Sequence, residues 1–325
     1  LKSQKYWAYP GSAFGRSRPP PLRRSDISSN KKSKTRKVSS KKRKPTFVLV
    51  IPRFEDIFHS YYAGEIIRGV SLSASRLNAD FLIHITDRSN HQGWLDSTLM
   101  DTNYIDGIIF ADIDNDLDIV KRAIRRGMPC MVLNNLLDEP VNYVAVDNRL
   151  AAFGVVDHLI KFGHSHIATI AGDVSTQAGL KRLDGYREAM HAQNLNVPRS
   201  YVTFGEFLRT PARAAAKKLL KLKNRPTAIF VASDVMALET IDGAKSLGIS
   251  VPEELSIVGF DDNPFNKTSS VKLTTVSQPI VEMGRLGAEK LFQISRGKVR
   301  LPVKVVLPTK LIKRQSVSTV GGASQ

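Results

Sequence analysis

From Thr46 onward the chain alternates two kinds of apolar pattern. Phe47, Val48, Leu49, Val50 and Ile51 form an unbroken apolar run that Pro52 stops. A run of that length with no polar alternate suits a parallel strand buried on both faces. Comparable runs recur at 80–85, 107–110, 130–133, 167–171, 228–231 and 256–260. Between them, apolar residues fall at helical spacing. Residues 63–77 carry Ile66, Ile67, Val70, Ala74 and Leu77, and residues 151–162 carry Val155, Leu159 and Phe162. The stretches 182–190, 211–222 and 236–247 behave likewise. Strand–helix alternation of this kind predicts an α/β fold with an open parallel sheet and right-handed crossovers. There are too many strand–helix units for one sheet. A first set runs from 47 to about 147 and a second from about 166 to 260, which predicts two doubly wound parallel-sheet subdomains with a cleft between them. Ligands of such sheets bind outside the carboxyl ends of the strands. The loops to watch are therefore 52–62, 87–94, 112–114, 146–149, 172–182, 233–236 and 261–266.

Charge changes the picture at the front of the chain. The 325 residues carry a formal net charge of +18. Residues 1–46 hold nine Lys and six Arg against the single acid Asp26, so they supply 15 − 1 = +14 of it. The rest is nearly neutral. Pro10, Pro19, Pro20, Pro21 and Pro45 punctuate this front segment, and nothing in it repeats at helix or strand period, which predicts disorder over 1–45. The short tail 319–325 is read the same way. Lys31, Lys32, Lys34, Arg36, Lys37, Lys41, Lys42 and Arg43 are candidate phosphate contacts. A flexible basic segment binds nucleic acid through counterion release, with a steep salt dependence and without reading sequence. Residues 6–9 are the best export-signal candidate and Pro10 interrupts them, so the expected location is the cytoplasm. No stretch approaches the roughly 18 apolar residues of a spanning helix, and no membrane partner is expected.

Several kinds of chemistry are missing from the sequence. There is no three-glycine dinucleotide fingerprint, no phosphate loop ending in Gly-Lys-Ser/Thr and no Gly-x-Ser-x-Gly elbow. No cofactor or metal is expected, and an enzyme is disfavoured. His164 and His166 read as residues of a helix-to-strand turn, and Cys130 reads as a buried hydrophobe. Polar residues stand where strands end: Asp147-Asn148, Ser233-Asp234, Asp261-Asp262, with Arg182 after the loop 173–181. Each is individually suited to a helix N-cap. Together, carboxylates and an Arg converging on one cleft suit directional hydrogen bonds to hydroxyls, with aromatics at Phe58, Tyr61, Tyr62 and Phe207 to stack on. That combination predicts a sugar or nucleoside-like ligand.

These residues also fall in a recognisable order. Val146-Asp147-Asn148, His158-Leu159-Ile160, Gly163-His164 and the run Arg182-Leu183-Asp184-Gly185-Tyr186-Arg187 come first. Pro226-Thr227-Ala228, Ser233-Asp234, Ile257-Val258-Gly259-Phe260-Asp261-Asp262, Gln278-Pro279 and Leu307-Pro308-Thr309 follow. The set resembles the lactose-repressor/galactose-repressor family of bacterial transcription regulators over residues 46–317. The resemblance implies a type I periplasmic-binding-protein-like core: two α/β subdomains joined by three crossovers, with an effector in the cleft. It divides the chain into 46–160 plus 279–307 and 161–278 plus 308–318. It implies Asp147, Arg182, Ser233 and Asp261 as effector hydrogen-bonders, Phe207 as an aromatic wall and Tyr61 or Tyr62 as a stacking residue. Ser233 stands where the family usually has Asn. Residues 1–45 show no helix-turn-helix pattern, so the basic segment is expected to bind DNA without sequence preference, whereas the family implies specific operator binding. A homodimer is expected, with helices 63–77 and 280–294 supplying apolar faces. The function implied is an effector-sensing regulator core; a solute-binding component of a sugar transporter is the alternative on the same fold.

Overall fold

The computed structural model describes residues 43–52, 60–86, 104–111, 113, 117–264 and 271–320. The first half is built on a six-stranded sheet. Its strands are β1 (Thr46–Pro52), β2 (Asp80–Thr86), β3 (Gly107–Ala111), β4 (Cys130–Leu133), β5 (Tyr143–Val146) and β11 (Lys304–Leu307). Their order is β11-β5-β4-β3-β1-β2, and every pairing is parallel. The second sheet holds β6 (Ile167–Ala171), β7 (Val202–Phe204), β8 (Ala228–Val231), β9 (Ser256–Asp261), β10 (Thr274–Ser277) and β12 (Lys310–Ile312). Its order is β12-β10-β9-β8-β6-β7, with only the β10–β12 pair antiparallel. The central strands β3, β4, β5, β6 and β8 are buried throughout, as unbroken apolar runs require.

Helices cover both faces of each sheet. In the first half these are α1 (Tyr61–Leu77), α2 (Asp118–Arg125) and α7 (Ile280–Ser295). In the second they are α3 (Asn148–Lys161), α4 (Gln177–Ala192), α5 (Arg209–Leu220) and α6 (Asp234–Ser246). The sequence reading placed residues up to 160 in the first half. The structure corrects this. Ala152, Val155, Val156 and Leu159 of α3 bury in one cluster with Leu183, Tyr186 and Met190 of α4 and with Ile167, Phe230 and Phe260 of the second sheet. The first crossover thus lies at Asp147, between β5 and α3. The second falls between β10 and α7, and the third between β11 and β12.

Helices α1 and α7, whose apolar positions are expected to face a second copy, pack on each other along one side. An ideal Cβ at Gly69 would stand 2.1 Å from the Val281 carbonyl oxygen, and one at Gly284 would stand 2.6 Å from the Ile66 carbonyl oxygen. Ser73 Oγ donates to the Arg285 carbonyl at 2.8 Å across the same seam. Ile66, Val70, Met283, Ala288 and Leu291 bury beneath it. No helix among the described residues is long and apolar enough to cross a membrane. The basic positions Lys31, Lys32, Lys34, Arg36, Lys37, Lys41 and Lys42 lie outside the described residues, as do Phe58 and most of the loops at 52–60, 87–94 and 112–114. Arg43 is exposed.

Candidate effector cleft

The second sheet ends in a buried polar cluster at its carboxyl edge. Arg182, on the second turn of α4, is 3% exposed. Its Nε donates to Asn148 Oδ1 at 2.9 Å, and one terminal nitrogen donates to the Ala232 carbonyl at 2.6 Å. The same nitrogen stands 3.6 Å from Asp261 Oδ1. The guanidinium carbon lies 3.7 Å from the Phe260 ring centroid and 5.7 Å from that of Phe207. A planar cation stacked on aromatic faces and forked onto oxygens is held in one orientation.

Asp261 closes β9 with a φ of +124, a backbone state that L side chains rarely adopt. Gln278 Nε2 donates to its Oδ1 at 2.7 Å. Burial pushes the Asp261 carboxyl up to about 7; Arg182 opposes that shift and the neighbouring Asp234 adds to it. Asp234 itself is fully buried and works as a tie: Thr275 Oγ1 donates to it at 2.6 Å and the Asn263 backbone N–H at 2.8 Å. It therefore fixes the turn that aims Asp261. Only glycine fits beside it, because a Cβ at Gly259 would stand 2.2 Å from Asp234 Oδ1.

Phe207 comes from the turn after β7, where Glu206 and Phe207 have φ of +55 and +61. Its ring lies over Gly172 at the end of β6, so closely that a Cβ there would sit 2.1 Å from Phe207 Cζ. Tyr61 starts α1 in the first half. Burial, then Glu65, Asp261, Asp262 and Asp234, push its hydroxyl pKa up, so its ring shares the electrostatic field of the second half's carboxylates. The structure thus brings Arg182, Asp261 and Phe207 together, with Tyr61 within reach of the same carboxylate field. Tyr62 packs against the first-half core. Asp147 and Ser233 serve as N-caps, accepting from Leu150 N at 2.8 Å and Met236 N at 3.4 Å.

Sequence reasoning missed Asn148, Asn134 and Gln278. Asn148 relays Arg182 to the first half, donating through Nδ2 to Asn134 Oδ1 at 3.3 Å. Gln278 leaves its Oε1 buried with no partner among the described residues. Both had a signal, since each adjoins a motif residue: Asn148 follows Asp147 and Gln278 precedes Pro279. Elsewhere, His164 does sit in a turn and pins the chain's end, with Nε2 3.0 Å from the Ser318 carbonyl and Nδ1 3.0 Å from Thr227 Oγ1. Cys130 is buried, and burial pushes its thiol pKa up. Among the described residues there is no group of three His, Cys, Asp or Glu that could hold a metal ion.

Comparison with known proteins agrees with this geometry. Residues 156–317 match the model of a periplasmic binding protein-like domain. The chain is 32% identical over 283 residues to the HTH-type transcriptional regulator DegA of Bacillus subtilis (strain 168), covering 85% of this chain and 82% of DegA. It is 35% identical over 244 residues to the HTH-type transcriptional repressor CytR of Escherichia coli (strain K12), covering 74% and 70% of the two chains. A solved complex of the transcriptional regulator CelR with cellobiose superposes with a TM-score of 0.77 at 30% identity, covering 83% of this chain and 84% of that one. Relatives that match along most of both lengths, on the same two-halved core, fix the assignment: the chain belongs to the lactose-repressor/galactose-repressor family of transcriptional regulators.

Proposed function

We propose that the cleft binds a small, hydroxyl-rich effector, a sugar, and that this binding sets the regulator's affinity for DNA. The observation that carries the reading is the Arg182–Asp261–Gln278 cluster at the strand ends, flanked by Phe260 and Phe207. A carboxylate that accepts, an amide oxygen that accepts and a fixed guanidinium suit a ring of hydroxyls, while Phe207 offers an apolar face to one side of the ring. The described carboxylates argue against a strongly anionic effector. CelR, the relative solved with cellobiose, supports the sugar class. Asp147, Ser233, Tyr61 and Tyr62 are proposed as further contacts. A nucleoside would use the same donors, so the screen must include both classes.

A thermal-shift screen of neutral sugars and nucleosides on the full chain identifies the ligand; calorimetry then tests the site. Asp261→Ala should abolish measurable binding, since truncating one partner of a buried charged hydrogen bond costs about 2–5 kcal/mol. Its melting transition should remain cooperative. Undiminished affinity would remove Asp261 from the site.

The proposed assembly is a homodimer. Among the described residues, the edge strand β2 exposes three apolar side chains in a row of seven residues, Leu82, Ile83 and Ile85 at 47%, 48% and 38%, and α1 adds Leu72 at 48%. A bare apolar edge strand is a pairing surface. Ile83→Lys should convert a dimer into a monomer in sedimentation velocity at tens of micromolar. A wild-type chain that already sediments as a monomer there would refute the dimer itself.

A further inference from the structure

One loop ties the two halves together. Residues 134–142 follow β4 in the first half, and Gln177 opens α4 in the second. The Gln177 carboxamide pairs with the Leu136 peptide in both directions: Leu136 N–H donates to Oε1 at 2.7 Å, and Nε2 donates to the Leu136 carbonyl at 2.8 Å. Both ends of this contact are stiff. Asn134 is held left-handed at a φ of +65, and buried Asn135 donates through Nδ2 to the Ile113 carbonyl at 3.1 Å. On the other side, fully buried Thr176 caps α4, donating to the Asp173 carbonyl at 2.7 Å and accepting from Gly179 N at 3.1 Å.

A doubly bonded amide pair is directional, and both bonds weaken together once the partners slide or rotate beyond hydrogen-bonding range. Because each partner is rigid in its own half, that motion is motion of one half against the other. We infer that Gln177 is a positioning residue that fixes the angle between the two halves, and so sets how open the cleft stands before a ligand enters. The same loop also reaches the cleft through Asn134, Asn148 and Arg182. A ligand that draws on Arg182 therefore draws on the loop that Gln177 latches. This second link rests on the proposed effector site; the latch does not.

The test uses the full chain without ligand. Spin labels go on Ile124→Cys and Leu247→Cys, one position in each half, both 41% exposed. Buried Cys130 stays unlabelled. Pulsed dipolar spectroscopy should give one narrow distance for the latched chain. Gln177→Met keeps the side chain's length and removes both hydrogen-bonding groups; it should broaden that distribution or shift it by several ångström. Gln177→Glu, whose carboxylate faces the Leu136 carbonyl, should do the same. Amide hydrogen exchange gives a label-free reading: Leu136 N–H should exchange about tenfold faster or more in Gln177→Met, with β6 and β8 as protected as before. Unchanged distances in Gln177→Met overturn the inference, whether or not Leu136 exchanges faster. Lost protection across β6 and β8 also overturns it, because Gln177 would then serve the folding of the second half and not its angle.

Discussion

Arg182→Ala should destabilise the second half by about 3–5 kcal/mol near pH 8, the range for removing one partner of a buried ion pair. The Arg182 side chain is 4% exposed and that of Asp261 14%, so little water stands ready to replace it. The loss also strips the bonds to Asn148 Oδ1 and the Ala232 carbonyl. The sign of the pH dependence follows from Asp261. Its carboxyl is raised to about 7, so the folded chain keeps this proton to higher pH than the unfolded chain does. Ionising it costs the folded state stability as pH rises from the ordinary carboxylate range to about 7. Without Arg182 the carboxyl rises further, and that cost continues to higher pH. The penalty of Arg182→Ala should therefore be smaller at about pH 5, where Asp261 is protonated in both proteins, and grow as pH rises through about 7. Urea titrations at the two pH values measure it. Equal penalties would mean that Arg182 acts through its bonds to Asn148 and Ala232 and its packing on Phe260 and Phe207, and not through the charge of Asp261.

Gly69→Val should cost about 3 kcal/mol or more, the upper end for overpacking, because the obstacle is backbone. A Cβ at Gly69 meets the Val281 carbonyl oxygen at 2.1 Å and the Arg285 nitrogen at 2.8 Å. No rotamer relieves such contacts, so α7 must move off α1. That opens the layer over Ile66, Met283 and Leu291. Gly154 in α3 is the control: nothing lies within 4 Å of its ideal Cβ. Gly154→Ala should raise stability by about 0.4–1 kcal/mol through helix propensity and a less flexible unfolded chain. The urea midpoint should fall for Gly69→Val and rise for Gly154→Ala, with little change in slope. A neutral Gly69→Val would mean that the two helices separate freely, and the close seam would lose its structural role.

The α/β class and the two halves were legible because buried parallel strands write themselves as unbroken apolar runs. Strands β7 and β10 escaped that reading. β10 is Thr-Thr-Val-Ser, and its threonines are buried because their hydroxyls are used: Thr275 donates to Asp234, and Thr274 accepts from the Arg314 N–H. Polar side chains satisfied by partners dozens of residues away leave no periodic trace. The crossover at Asp147 was misplaced because a helix after a strand normally covers that strand's own sheet, and α3 covers the other one. Asp261 could be singled out from its place at a strand end, and Arg182 from its place after the loop 173–181, although the structure puts it on the second turn of α4. Asn148 and Gln278 carried a weaker signal in their place beside motif residues, and Gln177 could not be told from its neighbours in the loop 172–182, since an amide's role is set by what the fold brings opposite it. Asp147 and Ser233 show the converse: a strand-end carboxylate or hydroxyl satisfies the local capping rule as readily as a ligand.

The three crossovers also bear on how the chain is made. The first sheet takes its edge strand β11 from residues 304–307 and its covering helix α7 from 280–295. The second takes β12 from residues 310–312. Neither half is a continuous piece of polypeptide, so neither completes its core until residues 304–312 have been synthesised. A growing chain halted near residue 270 lacks the helix that seals α1 and the strand β10 that orders Asp234. Apolar seams such as that over Ile66 then stay open to water and to chaperones. Both lobes are therefore expected to complete their cores at the same late stage, once β11 and β12 are in place.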